Sequence, residues 1–284
     1  MPGAKAGKHR RSRARGGRFL RLAGGAVGAA SLGLLTACTG RDATRGTGRE
    51  MPAGRQEVGS GATQGRLLAS PAPAPSHPNT ETGLRRLGLE SGRGGLLYIP
   101  PGHETMGKTP LALALHGAGG DARSGLSHLV GLADEFGLVL LAPESRGRTW
   151  DVLVGGFGPD VDFIDRALGQ TFDRLNVDAG RLAITGFSDG ASYALSLGLT
   201  NGNLFTHAIA FSPGFAAPAD RRGKPPVFVS HGKRDRVLPI ERCSRRVVPQ
   251  LEREGYEVSY QEFDGSHTVP REVAREALEW FTRT

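Results

Sequence analysis

Three residues that can carry out nucleophilic catalysis occur in this chain in the order serine, aspartate, histidine. Ser188 lies in ITGFSDG, between Gly186 and Gly190, which would let the backbone turn sharply there. A serine hydroxyl attacks well only when a base takes its proton and a third group orients that base. Asp235 in SHGKRDRVLP and His267 in FDGSHTVP supply these two residue types. The sequence therefore predicts Ser188 as nucleophile, His267 as base and Asp235 as orienting acid.

The elements around these residues decide whether the side chains can meet. Ser188 stands between a predicted strand and a predicted helix, and the other two residues each follow a predicted strand. Because the carboxyl ends of parallel strands share one edge of an open sheet, the side chains are expected to converge there. The Gly-x-Ser-x-Gly spacing alone is a weak signal in a chain with 43 glycines, so this placement carries the prediction. Glu241 and Asp264 are alternatives for the acid, although Asp264 is close enough to His267 to shape its turn instead.

A glycine-rich loop, LHGAGGD, follows an earlier predicted strand and is a candidate for stabilising an oxyanion. Gly117 and Gly119 allow the backbone to approach a substrate closely. The backbone N–H groups of Ala118 and Asp189 are the predicted donors to the oxyanion. The side chain of Asp189 is unfavourable at this place, because a carboxylate disfavours a nearby anion unless it points away or pairs with a cation.

Short apolar runs alternate with stretches at helical spacing across residues 81–284, which predicts one α/β domain with a mostly parallel, doubly wound sheet flanked by helices. The predicted strands are 95–100, 110–116, 138–144, 181–187, 207–213, 226–232 and 257–264, and the predicted helices include one opened by Asp160, one at 190–199 and one at 271–281. Only residues 214–225 separate two of these strands, so no large lid domain is expected. Trp150 and Phe157, in the irregular segment 144–160, are candidate pocket residues, with core packing an equal alternative for one of them.

Residues 1–37 have the features of a signal peptide. They hold eight of the 36 Lys and Arg residues and no acidic residue, and they end in the small, apolar segment LAGGAVGAASLGLLTA. This segment is too short and glycine-rich for a comfortable membrane span. Together with Cys38 its end, LTAC, resembles the lipobox of bacterial lipoproteins, which predicts cleavage before a lipidated Cys38 and a membrane lipoprotein facing the extracytoplasmic side. An uncleaved anchor or a basic tail is the alternative, and the general and twin-arginine export routes both stay open.

The rest of the composition limits the function classes. Residues 38–80 are rich in Gly, Ala and Pro without apolar periodicity, which predicts a disordered tether. Outside the signal peptide, 28 basic residues balance 28 acidic ones, so no nucleic-acid partner is expected. The second cysteine, Cys243, is expected to be a small buried helix residue and not part of a disulfide.

The ordered set of these motifs resembles the phospholipase/carboxylesterase-type esterases of the α/β-hydrolase superfamily. The chain carries an HG-x-G-D-like loop, a GFS-x-G elbow, an HG-x-x-D-x-x-x-P turn and a late G-x-H. The resemblance implies an α/β-hydrolase sheet of about eight strands, no metal or other cofactor, and a small ester or thioester as substrate. Asp189 departs from the family, which more often has a neutral residue there. A non-catalytic, lipid-anchored binding protein on the same fold and a serine peptidase are the alternative functions.

Overall fold

An eight-stranded sheet lies at the centre of the part of the chain that the computed structural model describes, residues 61–103 and 107–283. The strands are β1 Gly83–Arg86, β2 Gly95–Ile99, β3 Thr109–Leu115, β4 Val139–Pro143, β5 Val177–Phe187, β6 His207–Phe211, β7 Val227–Gly232 and β8 Val258–Phe263. Their order across the sheet is β1-β2-β4-β3-β5-β6-β7-β8. The β1–β2 and β2–β4 pairs are antiparallel and all the others are parallel. The carboxyl ends of β3 and β5 to β8 therefore share one edge.

Helices cover both faces of the sheet. They are α1 Ala122–Leu126, α2 Val130–Ala133, α3 Pro159–Arg174, α4 Asp189–Thr200, α5 Ser244–Arg253 and α6 Arg271–Thr282. One hydrophobic cluster joins the sheet to α3, α4 and α5, and a second cluster joins it to α1, α2 and α6. Strands covered on both faces read as continuous apolar runs, and every residue of β3, β4, β6 and β7 is buried. The predicted α/β fold with a mostly parallel sheet is confirmed.

The seven predicted strands are all present, with bounds that differ from the predicted ones by a few residues. The strand that sequence reasoning missed is β1, the edge strand. Its sequence is GLRR and its last three residues are exposed, so it has no apolar pattern to reveal it. Cys243 is buried as expected but lies at the N-cap of α5, not inside a helix.

Residues 61–80 differ from the disordered tether predicted for 38–80. The backbone N–H of Leu67 donates to Asn201 Oδ1 at 2.9 Å, and that of Ala69 donates to Asp165 Oδ1 at 2.8 Å. Further along, the His77 N–H donates to the carbonyl of Asp173. Polar hydrogen bonds of this kind hold an extended segment without apolar periodicity, which explains the error. The predicted signal peptide 1–37, Cys38 and residues 39–60 of the predicted tether lie outside the described residues.

Two observations bear on access and on membranes. Residues 212–226, which connect β6 to β7, form neither helix nor strand.

Among residues 61–103 and 107–283, every helix is too short or too polar to span a bilayer.

Candidate active site

A sharp turn between β5 and α4 presents Ser188. Its backbone has φ 59° and ψ −122°, a conformation that L-residues rarely adopt. The neighbouring backbones are in contact: a Cβ atom added to Gly190 would lie 2.2 Å from the Leu115 carbonyl oxygen, and one added to Gly186 would lie 2.3 Å from the Gly190 carbonyl. Both flanking glycines are therefore required sterically, as the motif predicts.

The three residues predicted to act together form one hydrogen-bonded chain. His267 Nε2 lies 2.9 Å from Ser188 Oγ, and His267 Nδ1 lies 2.5 Å from Asp235 Oδ2. Ser188 follows β5, Asp235 follows β7 and His267 follows β8, so the shared edge of the sheet brings them together. The alternative acids are elsewhere: Glu241 pairs with Arg245, and Asp264 pairs with Arg234 at the surface.

The carboxylate of Asp235 is held in one orientation. Its side chain is fully buried, and its Oδ1 accepts the backbone N–H groups of Val237 at 2.9 Å and Leu238 at 2.8 Å. Burial raises the pKa of Asp235, but the hydrogen bonds from His267 and from the two backbone groups outweigh it, and the net pKa is lowered. Asp235 is therefore ionised near neutral pH and directs a proton to Nδ1 of His267.

A second histidine, His231, supports this carboxylate. The side chain is fully buried, and its Nε2 lies 2.8 Å from the Leu238 carbonyl oxygen and 3.3 Å from Asp235 Oδ2. Its Nδ1 lies 2.6 Å from Ser244 Oγ. Burial lowers the pKa of His231, so the neutral ring donates from Nε2 and accepts at Nδ1.

The glycine-rich loop after β3 lies beside the serine. A Cβ atom on Gly117 would be 3.5 Å from Ser188 Cβ, and Gly119 has a positive φ of 69°. The Gly119 N–H donates to the Arg148 carbonyl at 2.6 Å. Within the described ranges, no acceptor takes the backbone N–H of Ala118 or Asp189. The two predicted oxyanion donors thus remain available.

Polar contacts hold this loop in place, one of them buried and the others nearer the surface. His116 Nε2 accepts the Ser145 N–H at 3.0 Å, and burial lowers the pKa of His116, which keeps its ring neutral. On the outer side, Arg93 donates to the carbonyls of Gly120 at 3.1 Å and Ser145 at 2.6 Å. These contacts tie the loop to the chain that follows β4.

The side chain of Asp189 finds a hydroxyl partner where sequence reasoning considered a cation. Thr149 Oγ1 donates to Asp189 Oδ2 at 2.6 Å. Thr149 belongs to the irregular segment 144–160, so this bond joins that segment to the first residue of α4. The carboxylate is thereby held at the start of the helix, where the macrodipole favours negative charge.

Trp150 lies in the core, the alternative that the sequence left open for one of the two candidate pocket residues, and neither Trp150 nor Phe157 lines the groove beside His267. Trp150 is completely buried, stacks on Tyr193 with ring centroids 4.9 Å apart, and donates from Nε1 to the His116 carbonyl at 2.8 Å. An indole with a buried acceptor for its N–H is well suited to a core. Phe157 is half-buried and packs on Gly65, a residue that the tether prediction placed outside the domain.

A buried carboxyl pair holds the same segment together. The Asp151 N–H donates to Asp160 Oδ2 at 2.7 Å, and the Asp160 N–H donates to Asp151 Oδ2 at 3.0 Å. Burial and the neighbouring charge of Asp151 raise the pKa of Asp160 to about 6, and burial also raises the pKa of Asp151. This pair braces the segment that carries Thr149 and Trp150.

An open groove adjoins the histidine. It measures about 490 Å³ and is lined by Arg234, Arg236, Val237, Ser266 and His267. Sequence reasoning missed this groove, because its lining comes from two turns that are far apart in the chain. Across the described part of the chain, no cluster of His, Cys, Asp and Glu is arranged to hold a metal ion.

The sheet order and the elbow are those of the α/β-hydrolase fold class. Within that class, residues 161–282 match the family described as phospholipase/carboxylesterase, the type that the motifs resemble. The matched residues include all three members of the hydrogen-bonded chain.

Curated relatives with sequence similarity are esterases by name. Acetylxylan esterase A of Emericella nidulans is 29% identical over 129 residues, which are 42% of this chain and 41% of the relative. Feruloyl esterase B of Neurospora crassa is 31% identical over 124 residues, 40% of this chain and 42% of the relative. The matches thus span less than half the length of these two relatives.

Solved structures share the fold. Esterase PE8 superposes with a TM-score of 0.54 at 22% identity, covering 66% of this chain and 96% of that one. Fluorophosphonate-binding serine hydrolase F of Staphylococcus aureus superposes with a TM-score of 0.58 at 15% identity, covering 72% and 100%. At these identities the likeness establishes the fold alone.

Proposed function

We propose that this protein hydrolyses carboxylic esters of small substrates through an acyl-enzyme intermediate on Ser188. The observation that carries the proposal is the hydrogen-bonded chain from Ser188 through His267 to Asp235, beside two backbone N–H groups that have no acceptor among the described residues. Acetylxylan and feruloyl esterases among the relatives support an ester substrate, with acetyl and hydroxycinnamoyl groups as candidate acyl parts. Thioesters follow the same chemistry and belong to the same proposal.

The proposed reaction has two balanced halves. Ser188 Oγ attacks the ester carbonyl while His267 Nε2 accepts the hydroxyl proton, and the oxyanion is received by the N–H groups of Ala118 and Asp189. The carbon–oxygen bond to the alcohol then breaks, and His267 gives the proton to the leaving oxygen. Water attacks the acyl-enzyme with His267 again as base, which releases the acid and restores Ser188. Asp235 holds the imidazole and stabilises its charged form throughout.

We expect short acyl chains to be preferred. The β6–β7 connection has no helix that could close over the serine, and the neighbouring groove is open. Each further methylene contributes about 0.8 kcal/mol only where it is buried, so the gain should stop after a few carbons. Activity on nitrophenyl esters should peak at roughly C2 to C6, without a jump when a substrate passes its solubility limit.

Kinetics across a nitrophenyl ester series, with Ser188→Ala as the background control, measures this preference. A maximum at C12 or longer, or strong activation by micelles, would contradict the open site and indicate a lipase.

We further propose that the protein is exported and anchored through a lipid on Cys38, based on the lipobox-like LTAC sequence. Cys38→Ser should abolish lipid attachment, because an oxygen cannot replace the thiol that forms the thioether. Detergent-phase partitioning in a bacterial host, together with the mature N-terminus, measures the effect. The proposal fails if the wild-type protein stays wholly in the aqueous phase and its mature N-terminus is not Cys38.

A further inference from the structure

The groove beside His267 has a strongly basic wall. Arg234 and Arg236 both line it, and both side chains are exposed. The charge of Arg234 is largely satisfied, because its guanidinium pairs with the Asp264 carboxylate and donates to the Asp264 carbonyl at 3.3 Å. For Arg236, no acidic side chain or other acceptor is in hydrogen-bond reach anywhere in residues 61–103 and 107–283. One unpaired guanidinium therefore faces the groove.

The position of His267 indicates which part of an ester enters this groove. His267 Nε2 has to return a proton to the leaving oxygen, so that oxygen must come within hydrogen-bond distance of Nε2. The oxyanion donors lie in the loop after β3 and at the start of α4, and β3 and β8 are on opposite sides of β5 in the sheet. The alcohol part of the substrate thus extends from His267 toward Ser266, Val237 and Arg236, which line the same groove.

The lining combines an apolar contact with a charge. Val237 is 65% exposed, which is high for an aliphatic residue beside an active site. An alcohol with an apolar body could cover Val237, and an anionic group on it could then reach Arg236. Guanidinium groups bind carboxylates particularly well, since their paired N–H donors match the two oxygens.

We propose that Arg236 determines specificity for esters whose alcohol part carries a carboxylate. This inference rests on the proposed esterase function, and it adds the identity of the leaving group. The natural substrate class is then an ester formed at the hydroxyl group of a hydroxy acid. Arg236 binds the carboxylate of this hydroxy acid, which is the alcohol that hydrolysis releases.

Two matched substrates test the proposal. 4-Acetoxybenzoate releases an alcohol with a carboxylate, and methyl 4-acetoxybenzoate releases the same ring with a neutral ester. The measured quantity is the ratio of their kcat/KM values, charged over neutral. Arg236→Gln should lower this ratio on the order of fivefold, mainly through the KM of the charged substrate, as expected for one partly exposed ion pair. High salt should reduce the ratio for the wild type and leave it unchanged for Arg236→Gln.

The control variant is Arg242→Gln, which removes the same charge from an exposed position outside the groove and should keep the wild-type ratio. A third substrate, monophenyl succinate, carries its carboxylate on the acyl part and should respond to Arg236→Gln no more than phenyl acetate does. An unchanged ratio in Arg236→Gln overturns the proposal, and so does a selective loss on monophenyl succinate. If the wild type hydrolyses none of the four esters, the esterase function itself fails.

Discussion

Ser188→Ala is expected to lower kcat for ester hydrolysis by roughly 10⁵- to 10⁶-fold, because the methyl group offers no oxygen to attack the carbonyl. Folding should be unaffected, since alanine meets the same backbone strain at φ 59° as serine does. The same variant should lose covalent labelling by a fluorophosphonate, which reacts with an activated serine. Ser127→Ala, an exposed serine bonded only to the Ser124 carbonyl, is the matched control and should label fully.

The hydrogen-bonded chain also predicts how losses combine. In the proposed mechanism Ser188 and His267 act in the same proton transfer, so removing the second adds little once the first is gone. Ser188→Ala/His267→Ala should therefore be about as inactive as Ser188→Ala alone. Losses that multiply in the double variant would show that the two residues act independently. Folded wild-type protein that takes no label would favour the non-catalytic binding protein.

Asp235→Asn is expected to lower kcat by roughly 10⁴-fold with little change in KM for a neutral ester. An amide at this position can donate to His267 Nδ1, which stabilises the tautomer with its proton on Nε2, facing the serine. Thermal unfolding should be measured in parallel, because Asp235 also accepts the backbone N–H groups of Val237 and Leu238.

Asp264→Asn is the matched control for this prediction. Asp264 is exposed and pairs with Arg234, and within the described residues no hydrogen bond or ion pair joins it to His267, so kcat for a neutral ester should stay near the wild-type value. A large loss in Asp264→Asn together with near-normal activity in Asp235→Asn would mean that the acid is wrongly assigned.

The sequence was most informative where the chemistry imposes backbone geometry. The two glycines around Ser188 are demanded by contacts with the β3 strand end and with each other, so the motif marks a real turn. Apolar runs located β3, β4, β6 and β7 most directly, because strands buried on both faces are largely apolar along their length. Placing Ser188, Asp235 and His267 after such strands was enough to predict that they meet.

Features held by polar contacts could not be predicted in this way. Residues 61–80 and β1 have no apolar periodicity, and hydrogen bonds and strand pairing position them. The sequence left Trp150 undecided between core and pocket, because its segment is irregular and periodicity does not distinguish a core indole from one in a pocket. The hydrogen bond from Thr149 to Asp189 depends on the path of the irregular segment 144–160, which cannot be predicted from spacing along the chain.

The strand order also determines how long a newly made strand waits for its neighbour during synthesis. β3 lies between β4 and β5, and Leu111 pairs with Leu182 across the β3–β5 interface. At roughly 5 to 20 residues per second, the ribosome needs several seconds to deliver β5 after β3 has left it. Until then, one edge of a strand that is apolar from Pro110 to Leu115 stays open to other nascent chains. The central position that buries β3 so well in the finished protein thus makes it open to aggregation beforehand.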